Sequence, residues 1–184
     1  MNEFTALALE TARVRGATYA DVRVVERREQ TVNVKDGVVE AVSETEDIGF
    51  GVRVVADGAW GFASSAIVNK AEVERIAALA VEIARASALT RKEPVDIGPP
   101  VTSRGTYRTP LQIDPFSMPA EDKIALLLKA DHEMGRVPGV KVARGMLAWQ
   151  RERKTFAKSE GGFVEHEIIE TGGGIVALAV ADGE

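Results

Sequence analysis

A chain of 184 residues with 45% hydrophobic content suits one domain, or one domain made of two related halves, and excludes wholesale disorder. A net charge of −5 without a Lys/Arg block argues against a dedicated nucleic-acid surface, because phosphate binding rests on clustered basic charge. The absence of cysteine excludes disulfides, thiolate zinc sites and a cysteine nucleophile.

Other bulk features are equally plain. The basic neighbours Arg13/Arg15, Arg27/Arg28 and Arg151/Arg153/Lys154 all have acidic residues close by and read as solvated faces. The longest apolar run, Ile175 to Ala181, falls far short of the roughly 20 residues that span a bilayer. Asn2, Glu3 and Phe4 do not form the basic and apolar regions of a secretory signal. The expectation is a soluble cytoplasmic protein with neither membrane nor direct nucleic-acid partners.

Residues 3 to 15 read as a helix, with Phe4, Leu7, Ala8, Thr11 and Val14 at three- and four-residue spacing and Gly16 as terminator. From Ala20 the period changes to two: Ala20, Val22 and Val24 face one way and Asp21, Arg23 and Arg27 the other, which suits a strand half exposed to water. Thr31 to Lys35 continue it, Asp36-Gly37 is a turn signal, and Val38 to Thr45 runs back as a separate segment. Residues 48 to 65 form a β-hairpin about Asp57-Gly58, since Gly tolerates positive φ and Asp comes closer to it than most residues. Its return strand carries Trp60 and Phe62, assigned to the core.

Asn69 and Glu72 have the spacing of a capping box, each side chain meeting a free backbone N–H, ahead of a helix with the stripe Val73, Ile76, Ala77, Ala80, Val81 and Ala84. Residues 90 to 119 hold six of the seven prolines and read as an irregular connector: a linker or functional loop, or an ordered strap on the sheet anchored by Val101, Tyr107, Leu111, Ile113 and Phe116. A helix from about Pro119 to Met134 follows, with Ile124, Leu127 and Leu128 apolar and Pro119 and Glu121 in its first turn. Extended segments then cover Val140 to Gln150, Arg153 to Ser159, Phe163 to Thr171 and Ile175 to Ala181, with a turn at Glu160-Gly161-Gly162.

Laying Thr31 on Thr155 and allowing one extra glycine at Gly162 matches Gly37, Val39, Glu40, Gly49, Val55, Ala56, Asp57 and Gly58 with Gly161, Val164, Glu165, Gly174, Val180, Ala181, Asp182 and Gly183. The expected fold is α+β: duplicated helix-plus-antiparallel-sheet units, the first about 1–89, a Pro-rich connector about 90–118, and the second about 119–184. The second copy stops one residue past its Asp182-Gly183 turn, so its last strand lacks the partner that Trp60 and Phe62 provide in the first. The chain therefore reads as the front part of something longer, or as one whose edge another chain completes.

The segments Gln30 to Glu40, Gly49 to Ser65 and Thr171 to Glu184 resemble the N-terminal domain of the TldD/PmbA family, on the TldD side, long labelled "modulator of DNA gyrase". The resemblance covers nearly the whole chain. It implies an intracellular zinc metallopeptidase that acts on unfolded peptides and assembles as a homodimer or as a heterodimer of family members. In that family the N-terminal domains help enclose a peptide-admitting cavity, and zinc is held in a C-terminal domain by a His-Glu-x-x-x-His helix. Here His132-Glu133 and His166-Glu167 have no second histidine three or four residues on, so no family catalytic residue is carried over.

Other constellations have bland readings beside the chemical ones. Glu165, His166, Glu167 and Glu170 suggest a metal site, but on a strand His166 faces away from Glu165 and Glu167. Gly172-Gly173-Gly174 lies between strands without a following helix and reads as a bulge or bend rather than a phosphate loop. Gly49-Phe50-Gly51 fails the dinucleotide test in the same way, and Ser64, Ser65 and Lys70 need no catalytic role at a strand-to-helix junction. No catalytic, cofactor-binding or metal residue is assigned. The sequence reads as a non-catalytic N-terminal domain contributing cavity walls and dimer contacts, with zinc expected outside this chain. The alternatives are a stand-alone regulatory module and a free-standing hydrolase, the latter disfavoured by two isolated histidines.

Overall fold

The structure, a computed structural model, describes residues 2–180. Its elements are α1 (Asn2–Val14), β1 (Tyr19–Lys35), β2 (Val38–Ala56), β3 (Ala59–Ser65), α2 (Lys70–Ala88), β4 (Arg104–Arg108), a 3₁₀ turn (Pro115–Ser117), α3 (Ala120–Gly135), β5 (Val140–Lys158) and β6 (Phe163–Ala179). Three helices pack on a six-stranded sheet ordered β3-β2-β1-β5-β6-β4, an α+β fold. The sheet is mixed rather than wholly antiparallel. β3 runs antiparallel to β2, while β4 pairs parallel with β6, Arg104 opposite Phe163 through Arg108 opposite Glu167.

The chain forms two compact units: one from the residues up to Glu26 with Asp47–Arg108 and Glu152–Glu167, the other from Arg27–Glu46, Thr109–Arg151 and the residues from Ile168. In the first, Ala20, Val22 and Val24 of β1 meet Val52, Val54 and Ala56 of β2 beneath α1 and α2. The α1 stripe is rotated from its expected place: Ala8 and Ala12 are buried with Thr5, and Val14 is 70% exposed. The α2 stripe is buried as expected, and the Asn69 side chain accepts the Glu72 N–H at 2.8 Å. The reciprocal half of the capping box is not made, because the Glu72 carboxylate is taken by Arg75 at 2.7 and 2.8 Å. That hydrogen bond, with a second from Ser65, holds Glu72 down at about 2.

β3 inverts the expected core assignment. Its helix-facing residues are Ala59, Gly61 and Ala63, whereas Trp60 and Phe62 are 38% and 54% exposed on the other face. The cause is how close α2 lies. A Cβ on Gly61 would fall 2.0 Å from the Ala80 carbonyl oxygen and 2.6 Å from the Ala84 nitrogen, so only small residues fit between helix and strand. Trp60 instead packs edge-on against Tyr19.

The second unit gathers Val32, Val34, Leu127 and Trp149, with Ile124, Leu128, Leu147, Val39 and Phe116 packed around them. Asp36 (φ 49°) and Gly37 (φ 79°) make the β1–β2 turn, and two successive positive-φ residues match the right-handed twist of a tight hairpin. The β5–β6 turn is built differently: of its residues only Gly161 (φ 89°) is left-handed, and the Lys158 N–H reaches the Gly162 carbonyl at 3.0 Å. The expected Asp182-Gly183 turn lies outside the described residues.

Three long stretches are more continuous than their composition suggests. β2 passes unbroken through Ser43-Glu44-Thr45-Glu46-Asp47, because Arg28 and Gln30 across the hairpin neutralise and bond Glu44. β5 likewise runs unbroken through the expected gap at Arg151-Glu152. β6 runs as one strand through Gly172-Gly173-Gly174, its middle glycine leaving room for Leu147, whose Cδ2 lies 2.5 Å from where a Cβ would sit. The Pro-rich connector is a strap held by strand pairing through β4, not by its apolar side chains. Val101, Tyr107, Leu111 and Ile113 are exposed, and Phe116 alone of the five packs on a core.

Gly61→Ala is expected to destabilise the protein by about 3 kcal/mol or more through overpacking. Gly105→Ala, where no atom lies within 4 Å of the new Cβ, should change stability by no more than about 0.5 kcal/mol. Urea unfolding of the two variants measures the difference.

Candidate functional site

In the first unit, the sheet face away from the helices holds a carboxylate that the sequence pattern assigned to solvent. Asp21 is fully buried. Its Oδ2 accepts the Tyr19 hydroxyl at 3.0 Å and Arg53 Nε at 2.8 Å, and its Oδ1 lies 3.2 Å from Arg23 Nη1. The two guanidinium groups cover it while stacking outward, Arg53 on Trp60 (4.8 Å) and Arg23 on Phe156 (5.1 Å). Burial, then the Asp21 charge, pushes the Tyr19 phenol above its ordinary value. Burial is the largest single influence on Arg53 and opposes its charge, but the hydrogen bonds and charges of Asp21 and Tyr19 together outweigh it and raise its pKa. Two paired arginines, each under half exposed, are what lets a carboxylate stay in this interior.

The second unit has a counterpart of opposite sign. Lys123 is 2% exposed, its Nζ donating to Gln30 Oε1 at 2.7 Å and lying 4.2 Å from the Trp149 ring centroid. Burial pulls its ammonium below the usual lysine range. Phe116 lies beneath two guanidinium groups, Arg151 at 4.7 Å and Arg28 at 5.1 Å, and Arg151 pairs with Asp114, which also caps the 3₁₀ turn. Ile124, Leu127 and Leu128 pack on this core as expected, and Lys123 and Asp131, one turn to either side of Leu127, add two buried polar residues to the same side of α3.

The residues weighed for metal do not converge. His166 Nε2 lies 3.6 Å from Glu152 Oε1, which also pairs with Lys154 Nζ at 2.8 Å. Glu167 pairs with Arg153, Glu165 stands opposite Thr106 of β4, and Glu170 lines a separate 340 Å³ hollow with Glu29 and Thr31. His132 is exposed on α3 in the other unit from His166. Ser65 Oγ accepts the Ile67 N–H at 3.1 Å, a junction role, and Gly49-Phe50-Gly51 lies within β2. Among the described residues, no group of three metal-ligating side chains comes together.

What stands open is the far half of β6. β4 covers residues 163–167, and Thr109 Oγ1 takes the Ile169 N–H at 3.1 Å. Beyond that, among the described residues, no strand lies on the side away from β5. Ile175, Val176, Leu178 and Val180 are each more than half exposed there, and no charge occurs from Thr171 to Val180.

Residues 20–84 match the family model described as PmbA/TldA metallopeptidase domain 1, and residues 113–184 match that family's central domain. The chain belongs to the PmbA/TldD family. A metalloprotease of Methanocaldococcus jannaschii is 26% identical over 152 residues, covering 82% of this chain and 33% of its own length. One from Methanothermobacter thermautotrophicus is 28% identical over 148 residues, covering 80% and 31%. The fold is shared with a candidate modulator of DNA gyrase from Bacteroides thetaiotaomicron (TM-score 0.77, 15% identity, 100% of this chain and 42% of that one). It is shared too with TldE of Thermococcus kodakarensis (TM-score 0.64, 13% identity, 96% and 43%). The chain thus spans about a third of the curated relatives' length. No helix among the described residues is long and apolar enough to cross a membrane.

In this family member, Asp21→Ala should destabilise the fold by about 2–3 kcal/mol, less than for a fully enclosed pair because water reaches both arginines. The raised Tyr19 pKa favours folding below the unfolded phenol value of 10.0, and that contribution is lost as pH rises through the folded value. Phenolate absorbance should accordingly show a transition above pH 10 that disappears in Tyr19→Phe. Lys123→Met keeps the stem on Trp149 and removes a buried charge, so its denaturation midpoint should match or exceed that of the parent.

Proposed function

We propose that this chain is a non-catalytic, N-terminal part of a TldD-like zinc metallopeptidase acting on unfolded peptides. It contributes a wall of the peptide-admitting cavity and contacts to a second family member, in a homodimer or heterodimer. The observation that carries the reading is the open edge of β6. An extended peptide can add to such an edge by main-chain hydrogen bonds, and an uncharged run accepts varied side chains without a like-charge penalty. Family membership and relatives named metalloproteases support the hydrolytic setting.

The residues present do not suit a catalytic zinc. Such sites need three protein ligands, and His132 and His166 belong to different units, with Lys154 paired to Glu152, the carboxylate beside His166. Zinc is therefore assigned to sequence outside this chain, and no step of hydrolysis is assigned to residues within it. The second reading, a regulatory module, draws on the gyrase-modulator name of the Bacteroides thetaiotaomicron neighbour and predicts no peptide binding at β6.

Binding of a fluorescent, unstructured peptide separates these. The chain should bind it without cleaving it, zinc added or not. Val176→Lys and Leu178→Lys, at exposed positions, should weaken binding about tenfold or more with little change in stability. Equal binding by both variants would remove the edge from the proposal, and zinc-dependent cleavage by the pure chain would overturn the non-catalytic assignment.

A further inference from the structure

In the second unit, the C-terminal end of α3, the β1–β2 turn and the start of β5 bound a cavity of 390 Å³, whose lining includes Asp36, Gly37, Asp131 and Ala143. Asp131 is 3% exposed. Its Oδ2 accepts the Gly37 N–H at 2.5 Å, while its Oδ1 is buried without any hydrogen-bond partner. A carboxylate oxygen withdrawn from water in this way demands a donor or a cation. Asp36 places a second carboxylate on the same lining, one oxygen accepting the Ala143 N–H at 2.8 Å. The negative end of the 16-residue helix α3 adds to the field. The basic side chains of the lining do not answer it: Arg136 is paired with Glu133 at 3.1 Å, and His132, Arg136 and Lys141 are all exposed.

We propose that this cavity is a binding site for a hard divalent cation of the calcium or magnesium type. Asp131 Oδ1 and the Asp36 carboxylate are its side-chain ligands, with backbone carbonyls and water completing the shell. Carboxylate and carbonyl oxygens select such ions over softer metals. Among the described residues no third metal-ligating side chain joins the pair, so the affinity belongs in the weak range, Kd roughly 10⁻⁴ to 10⁻³ M. The ion would tie the β1–β2 turn to α3, because both carboxylates are already fixed by backbone N–H groups of Gly37 and Ala143.

Titration of the whole chain with calcium chloride, and separately with magnesium chloride, tests this by calorimetry and amide NMR at constant ionic strength. Expected are one saturable site for at least one of the two ions, shifts of the Gly37 and Ala143 amides on its addition, and no such response to sodium chloride. Asp131→Asn still accepts from Gly37, and Asp36→Asn keeps a residue that tolerates φ 49°, so both should stay folded. Each should weaken binding about tenfold or more. Absence of saturable binding by both ions, Gly37 and Ala143 amides that stay still, or folded variants that bind as well as the parent would overturn the proposal.

Discussion

Backbone pairing along four strands of 17 to 19 residues is the constraint on which the rest of this structure depends. Each residue of such a strand carries a donor and an acceptor that must be met on one side or the other. β1 and β5 lie between neighbours, whereas β2 and β6 are flanked on their outer sides by the much shorter β3 and β4. β4 and Thr109 account for β6 only as far as Ile169. Among the described residues, those past Glu170 thus combine an outer side that no strand covers with exposed apolar side chains, the combination that strand-adding ligands and partners exploit.

Buried charge organises the two units in different ways. Asp21 is held by two arginines and a phenol, so pairing offsets desolvation and the carboxylate becomes a fixed point for Arg23, Arg53 and Trp60. Lys123 has one amide oxygen and one aromatic face, and there desolvation wins, pulling the ammonium downward. Asp131 is intermediate: half of its carboxylate holds a turn, and the other half faces a cavity without a partner. Since each charge brought out of water costs several kcal/mol before compensation, these three positions bear more on the chain's behaviour than its many surface ion pairs.

Local signals were read from the sequence where one residue type has one physical use. Asp36-Gly37 and Asp57-Gly58 announced positive φ, Asn69 announced a helix start, and the apolar stripe of α2 announced its buried face. Signals that depend on a neighbour's shape were not legible. Trp60 and Phe62 looked like core until α2 was found lying so close that only Ala and Gly fit beneath it. Asp21 alternates with valines like any solvent-facing residue, and its burial follows from Arg53, 32 positions away. β4 carries no alternating apolar pattern because all five of its residues are exposed. Its strand character comes from β6 alone. The reach of β4 along β6, which delimits the candidate edge, was not legible for the same reason.

Hydrogen exchange along β6 tests the open edge most directly. Amides between Phe163 and Glu167 have strand partners on both sides, so all should be protected. Between Thr171 and Ala179, amides directed at β5 should be protected and the alternate ones should exchange at nearly the rate of an unstructured chain. Uniform slow exchange along the whole of β6 in the free protein would contradict an edge available to a peptide.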